Sequence, residues 1–243
     1  MENIQIIDAN TTIGIHPKHR LEMSVESLVK EMDKHNIAAG LTISNVAIFH
    51  DSQTGNQITL ESMKISNRLV PVATVNPKTY FRSPADMQAI KAQGFRIFRF
   101  FPIEQEWEIS SAAFKEVLKQ LSPLNIPFQI DASNSGEPTM IGNAVAGYPA
   151  PVILCGVSLD VLSETLAVAA DSSNIMIETH ELHVPGGLEL IAERIGTERI
   201  IFGSGAPRRS IASSLRHILN SGLSDQDKAL ILGGNIKRVL GAK

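Results

Sequence analysis

Acidic side chains and one histidine lie at the ends of predicted strands, and residues of these types can act as general acids or bases. Glu178 and His180 lie two residues apart at the end of one apolar run, and Asp131 lies near the end of another. Alternate residues of a strand face the same side, so Glu178 and His180 point the same way. A histidine beside a carboxylate titrates near neutral pH and can serve as acid or base. We predict Asp131, Glu178 and His180 as catalytic residues; the alternative is a hydrogen-bonded structural network.

A second group of residues is suited to holding an anion. The turn Gly-Ser-Gly-Ala-Pro-Arg-Arg-Ser at 203–210 offers backbone N–H groups and two arginines. Arg99 would add a guanidinium suited to a carboxylate, unless it forms a salt bridge on the outer face. Arg208 and Arg209 are equally well explained as solvated charges at a helix start. The predicted substrate-binding residues are Asn10, Thr12, Arg99, Ser204, Gly205 and Arg208, and the expected ligand is a small anionic molecule, a carboxylate or a phosphate.

Eight β-rich runs alternate with longer amphipathic runs, which predicts βα units and a parallel sheet. Strict alternation over eight strands favours a closed, single (β/α)8 TIM barrel, with residues 1–243 forming one domain. No glycine occurs at 8–13, which disfavours a dinucleotide-binding turn after the first strand. The predicted strands are residues 4–9, 40–46, 69–76, 95–101, 127–132, 151–157, 175–180 and 199–204.

Polar residues mark the helix starts. Ser24 precedes an apolar stripe and is predicted to cap the first helix. Ser83 before a proline marks another start, and Ser224 with Asp227 resembles a capping box. Residues 16–23 carry no periodic pattern and are expected to be irregular.

Composition excludes several function classes. The formal net charge of the 243 residues is −3, and the lysines and arginines are scattered, so no nucleic-acid or anionic-membrane partner is expected. No apolar stretch reaches membrane-spanning length, which indicates a cytoplasmic protein. Cys155 is the only cysteine, so neither an intrachain disulfide nor a thiolate metal cluster can form, and we expect it to be a buried apolar filler.

Three short motifs together resemble one family. They are Asp-Ala at 8–9, Ile-Phe-Gly-Ser-Gly-Ala-Pro at 201–207, and Gly-Asn at 234–235 followed by Arg-Val-Leu-Gly at 238–241. Their order is similar to that of the amidohydrolase-related (amidohydrolase 2) family of TIM-barrel metal-dependent hydrolases and decarboxylases. The resemblance implies a barrel, and a metal held by a His-X-His pair after the first strand, histidines after the fifth and sixth, and an aspartate after the eighth.

This sequence departs from that ligand pattern at every position. The pair falls on Asn10 and Thr12, the fifth-strand ligand on Asp131, the sixth on Gly156 and the eighth on Gly205. Zinc-like ions need three or four imidazole, thiolate or carboxylate donors. Because the usual metal ligands are replaced here, no cofactor is expected. The alternative is a divalent metal at a relocated site that uses histidines following predicted strands: His16, His19, His180 or His183.

These observations leave two functions open. The first is an amidohydrolase-related hydrolase of unknown substrate, or a decarboxylase of the same ancestry, without the family metal site and acting on a small anionic molecule. The second is a catalytically inactive barrel that serves as a metabolite-binding or protein-interaction module, because a fold does not imply its usual function. Such barrels often form homo-oligomers, and the sequence does not fix the stoichiometry.

Overall fold

Eight parallel strands form the centre of the protein in a computed structural model that describes residues 4–80 and 84–241. A ninth, short strand, β2, pairs antiparallel with the first. The strands are β1 (Ile6–His16), β2 (Leu21–Met23), β3 (Ile37–Ser44), β4 (Leu69–Pro71), β5 (Phe98–Phe100), β6 (Phe128–Asp131), β7 (Val152–Cys155), β8 (Ile175–Glu178) and β9 (Ile200–Ile201). All eight predicted strands are therefore present, most of them shorter than predicted.

Hydrogen bonds between two sheets close the barrel. One sheet has the strand order β2-β1-β3-β4 and the other β5-β6-β7-β8-β9. Parallel bridges join Ala73 to Phe98 and Thr11 to Ala206, at the two seams. At the second seam the Thr12 N–H donates to the Ala206 carbonyl at 2.9 Å. Closure of eight parallel strands confirms the predicted α/β barrel.

Helices follow the strands and cover the barrel. They are α1 (Val25–Lys34), α2 (Asn45–Phe49), α3 (Ser52–Ser62), α4 (Pro84–Ala92), α5 (Ala112–Leu121), α6 (Glu137–Ala144), α7 (Leu159–Asp171), α8 (Gly187–Ile195), α9 (Ile211–Leu219), α10 (Asp225–Ala229) and α11 (Asn235–Val239). Two 3-10 turns, Ser122–Leu124 and Thr197–Arg199, precede strands, and a π-helical turn, Leu230–Gly234, separates α10 from α11.

Two of the predicted helix caps are confirmed. The Ser24 hydroxyl accepts from the Ser27 N–H at 3.1 Å at the start of α1. At α10 the Asp227 N–H donates to the Ser224 hydroxyl, which donates in turn to the Asp227 carboxylate at 2.6 Å. The predicted start at Ser83 lies outside the described residues.

The first strand is longer than predicted, and residues 16–23 are not irregular. β1 continues to His16, where it turns into a hairpin with β2, and Gly14 pairs with Met23. Thr11 and Thr12 pair with β3, which keeps the polar stretch after Ala9 inside the sheet. Threonine favours strands, and the prediction ended β1 too early because it followed hydrophobicity alone.

Alternation along the strands separates two cores. Outward residues such as Phe98, Phe100 and Phe128 pack under the helices, and inward residues fill the barrel. Cys155 is fully buried in the inner cluster, as predicted for an apolar filler. The same alternation turns Arg99 inward between Phe98 and Phe100, so it does not lie on the outer face.

Candidate active site at the barrel mouth

A cavity of about 330 Å3 opens at the carboxyl ends of the strands. Its lining comes from residues at or just after seven of the eight barrel strands, which is where barrels of this kind hold ligands. The lining residues are Asn10, Thr12, His16, Asn45, Ile48, Phe49, Arg99, Phe101, Ile103, Glu104, Asp131, Ser133, Gly156, Ser158, His180, Glu181, Gly205 and Arg208. The volume is at the small end of the range for small-molecule sites.

Glu178 and His180 form a buried pair at the end of β8. Glu178 Oε2 is hydrogen-bonded to His180 Nδ1 at 2.5 Å, and Glu178 Oε1 accepts from the His180 backbone N–H at 2.8 Å. His180 lines the cavity, whereas Glu178 is fully buried and does not. The bond at Nδ1 fixes the imidazole, and the other ring nitrogen, Nε2, lies 3.7 Å from Glu181 Oε1, beyond hydrogen-bonding distance. The prediction that the two side chains lie on one side of the strand is confirmed.

Arg99 joins Asn10 to Asp131 across the barrel interior. Its Nη2 donates to Asp131 Oδ1 at 3.0 Å, and its Nη1 donates to Asn10 Oδ1. The Asn10 amide donates in turn to Glu178 Oε2 at 3.1 Å. One hydrogen-bonded network therefore links Asp131, Arg99 and Asn10 to the Glu178–His180 pair.

The network shifts the protonation of its members. Burial opposes the charge on Glu178, but the charge of His180 and its hydrogen bond outweigh burial and hold the pKa of Glu178 below its ordinary value. The pKa of His180 is raised, because the attraction of Glu178 exceeds the effect of burial. For Arg99, burial is likewise outweighed by the Asp131 carboxylate, and its pKa is raised. The pair therefore favours an imidazolium beside a carboxylate.

Asp8 ties the first strand to the last turn beneath the network. Its Oδ1 accepts from the backbone N–H groups of Asn10, at 3.0 Å, and Ser204, at 2.9 Å. Its Oδ2 is buried without a hydrogen-bond partner among the described residues. Burial is the main cause that raises the pKa of Asp8 to about 6. Asp8 therefore holds the turn that carries Gly205.

Several backbone N–H groups of the turn after β9 are already hydrogen-bonded within the protein. The Gly205 N–H donates to the Asn10 carbonyl at 2.9 Å, and the Ala206 N–H to the Ser204 hydroxyl at 3.1 Å. Together with the Ser204 N–H on Asp8, these three donors are used inside the barrel. Ser204 is fully buried and does not line the cavity, whereas Gly205 does. A backbone anion site cannot use these three donors, and one in the rest of the turn stays a prediction.

The rim of the cavity carries an ion-pair cluster. Glu181 Oε1 lies 3.5 Å from Arg208 Nη2, and Arg209 Nη2 contacts Glu181 Oε2. Arg208 Nη1 also lies 4.0 Å from Glu104 Oε1 on the opposite side of the mouth. Arg208 and Arg209 are thus paired rather than simply solvated, and only Arg208 lines the cavity.

An apolar wall faces the polar one. It consists of Ile48, Phe49, Phe101 and Ile103, with the His16 ring edge-on to Phe49 at 4.7 Å between ring centroids. Burial, with the nearby His19, lowers the pKa of His16 and favours its neutral form. The Arg99 guanidinium lies over the Phe101 ring, 4.8 Å from its centroid, where the polar and apolar walls meet.

The structure brings together most of the predicted site. Asn10, Thr12, Arg99, Asp131, His180, Gly205 and Arg208 line one cavity. Sequence reasoning missed Glu104 and Glu181, although both follow predicted strands and could have been found by that rule. The catalytic and binding roles of the predicted residues stay predictions.

The relocated metal site is not formed. His16 and His19 are neighbours, with ring centroids 4.6 Å apart. His183 instead lies beside His217, 6.5 Å away, and does not line the mouth with His180. Across residues 4–80 and 84–241, no group of three or more His, Cys, Asp or Glu side chains could hold a metal ion. His16 and His180 line the mouth, whereas His183 and His217 line a different cavity, so the four histidines do not converge.

The closed barrel of eight parallel strands places this protein in the class of (β/α)8 barrels. Its polar cavity lies at the carboxyl ends of the strands. The chain belongs to the amidohydrolase family, whose family model matches residues 28–242. The resemblance drawn from the three short motifs is thereby confirmed. No curated protein sequence matches the chain.

Solved structures with the same fold include named decarboxylases. A 2,6-dihydroxybenzoate decarboxylase in complex with 2,6-dihydroxybenzoate is similar at a TM-score of 0.81 and 13% identity, over 98% of this chain and 100% of that one. A dihydroxybenzoic acid decarboxylase from Polaromonas sp. JS666, with bound manganese and the inhibitor 2-nitroresorcinol, has a TM-score of 0.79 and 14% identity, over 98% and 97%. An amidohydrolase from Burkholderia multivorans with bound zinc has a TM-score of 0.73 and 14% identity, over 98% and 100%. At these identities the likeness shows the fold.

These relatives contradict the expectation that no cofactor is needed. Two of the three similar structures hold a divalent metal, manganese in one and zinc in the other. The prediction failed because it compared ligand types at five positions only and took their replacement as proof that no metal binds. The donors present in this chain do not form a metal centre as placed, since Asn10 Oδ1 and Asp131 Oδ1 both accept from Arg99.

Within the part of the chain that the structure describes, no helix has both the length and the apolar character needed to cross a membrane.

Proposed function

We propose that this protein is an enzyme of the amidohydrolase family that binds a small carboxylate at the barrel mouth and uses His180 to transfer a proton. The observation that carries the proposal is the His180–Glu178 pair, which holds an imidazole at the cavity wall. Its Nδ1 is bound to a fully buried carboxylate, and its Nε2, 3.7 Å from Glu181 Oε1, is the nitrogen that a ligand would approach. Such an imidazole is a positioned acid whose proton is retained near neutral pH.

Positive charge supports a carboxylate ligand. Arg99 is only 6% exposed, and its hydrogen bonds to Asn10 and Asp131 fix the guanidinium plane within the cavity wall. Arg208 adds a second guanidinium at the rim. Guanidinium groups recognise carboxylates well, and a fixed one loses little side-chain entropy on binding.

The size and the wall of the cavity indicate a single-ring ligand. A volume of about 330 Å3 admits one ring with small substituents, and Phe49 and Phe101 present aromatic surface to it. Two of the similar structures belong to enzymes named for dihydroxybenzoate or dihydroxybenzoic acid decarboxylation. We therefore infer an aromatic or similarly sized carboxylate as the substrate.

Decarboxylation is the reaction that these residues support best. The bond between the ring carbon and the carboxylate breaks, carbon dioxide leaves, and the carbon takes the proton from Nε2 of the His180 imidazolium. Glu178 stabilises the imidazolium before transfer and keeps the ring oriented afterwards. Hydrolysis of a small carboxylate substrate is the second candidate, because neutral His180 would act as a base toward water.

The test is turnover of 2,6-dihydroxybenzoate, followed by carbon dioxide release with and without added manganese. His180→Asn is expected to lower the rate at least a hundredfold, within the usual range for loss of a general acid. His183→Asn is the matched control, because His183 is exposed and does not line the mouth. Equal rates in the wild type and His180→Asn would refute the role of His180. A wild type that binds carboxylates but turns none over would favour a binding module.

A further inference from the structure

Glu104 is held in a fixed position at the edge of the cavity. It lies in a turn after β5, in which the Gln105 N–H donates to the Phe101 carbonyl at 3.0 Å and the Trp107 N–H to the Pro102 carbonyl at 3.0 Å. The Trp107 indole is buried and donates to the Gln105 side chain at 3.1 Å. The turn is therefore anchored in the core, and Glu104 projects from a rigid base.

One oxygen of Glu104 lacks a partner. Its Oε2 is buried and has no hydrogen bond to any of the described residues, and the side chain is 17% exposed. The nearest cation is Arg208, whose Nη1 is 4.0 Å from Oε1, beyond hydrogen-bonding distance. A buried acceptor without a donor is costly, so such atoms in native proteins usually have a partner that the side chains alone do not supply.

The surroundings of Glu104 favour a donor there. Burial, followed by the charge of Asp131, raises the pKa of Glu104, against the opposing charges of Arg99 and Arg208. Asp131 belongs to β6, Arg99 to β5 and Arg208 to the turn after β9, so the group is faced from three elements. A second negative group near Glu104 would be repelled, whereas a hydroxyl or amino group would be attracted.

The geometry points to Glu104 as a specificity-determining residue that accepts a hydrogen bond from a hydroxyl or amino group on the carboxylate ligand. This inference rests on the proposed function, because it requires that a carboxylate occupies the mouth. The ligand carboxylate faces the side of Arg99 and His180, and the donor substituent reaches the carboxylate of Glu104, which lines the mouth. The enzyme thereby distinguishes a substituted carboxylate from an unsubstituted one of the same size.

Three probes of matched size test the inference: benzoate, 2-hydroxybenzoate and 2-aminobenzoate, titrated calorimetrically into the purified protein. The wild type is expected to bind at least one donor-bearing probe about tenfold more tightly than benzoate, the effect of one hydrogen bond to a charged group. Whichever of 2-hydroxybenzoate and 2-aminobenzoate binds more tightly shows whether the site prefers a hydroxyl or an amino donor.

Two variants isolate the acceptor. Glu104→Leu removes the acceptor and is expected to abolish the tenfold preference. Glu104→Gln keeps a carbonyl acceptor of the same shape and is expected to retain part of the preference. Glu106→Gln is the matched control, because Glu106 is an exposed residue in the same turn.

The outcomes separate the inference from the proposed function. If all three probes bind the wild type equally, or if Glu104→Leu keeps the preference, the inference is overturned and the carboxylate site stands. If no probe binds, the proposed function fails and the inference fails with it. A melting curve of each variant shows whether a loss of binding reflects loss of fold.

Discussion

Asp8 is a buried carboxylate that should make the stability of the barrel depend on pH. Its pKa is raised from 3.8 to about 6, so between these values the native protein keeps a proton that the unfolded chain has already released. Stability falls as pH rises through that window, because the native state then binds more protons than the unfolded state. The full shift corresponds to about 3 kcal/mol.

The perturbation is Asp8→Asn, which keeps an oxygen for the Asn10 and Ser204 N–H groups and cannot ionise. Relative to the wild type, the variant should gain about 2 kcal/mol of unfolding free energy between about pH 4.5 and about pH 7.5. Urea unfolding at several pH values measures this difference, and effects of other groups cancel in it. Asp171→Asn, at an exposed position, is the control and should show no such gain. A constant difference between Asp8→Asn and the wild type across this range would refute the reasoning.

Two further substitutions probe the contacts around His180. Gly205→Ala should destabilise by about 2 to 3 kcal/mol in urea unfolding, because Gly205 has a φ of +72° and a Cβ there would lie 2.9 Å from His180 Cδ2. Gly147→Ala, at a φ of +77° in open space, is the control and should cost only about 1 kcal/mol; equal costs would contradict the His180 contact. Glu178→Gln should lower the pKa of His180, because burial then acts without the opposing carboxylate. An NMR titration of the imidazole checks this, and an unchanged pKa would contradict the assigned pair.

The strands could be predicted because short apolar, β-branched runs that alternate with amphipathic runs are typical of buried strands in βα units. Their ends could not, since a strand end is set by pairing with its neighbours. Thr11 and Thr12 continue β1 because β3 lies beside them. The hairpin of β2 was missed for the same reason, as its register depends on Gly14 and Met23 meeting across a turn.

The site was predicted in part, by the rule that the catalytic and binding residues of such barrels lie at the carboxyl ends of the strands. That rule located Arg99, Asp131 and His180, and it would also have located Glu104 and Glu181 had it been applied to every strand. It could not show that Arg99 joins Asn10 to Asp131, because hydrogen bonds between distant strands depend on side-chain geometry. It also could not show which backbone donors barrel closure uses, as in the turn at Gly205.

The central claim is that the mouth binds a small carboxylate with the help of Arg99. Calorimetric titration of 2-hydroxybenzoate into the wild type and Arg99→Gln tests it most directly, with Arg96→Gln, exposed and outside the cavity, as the control. The account predicts saturable binding of one ligand per chain, weakened about tenfold or more in Arg99→Gln and unchanged in Arg96→Gln. Equal affinity of the folded Arg99→Gln variant and the wild type would contradict it.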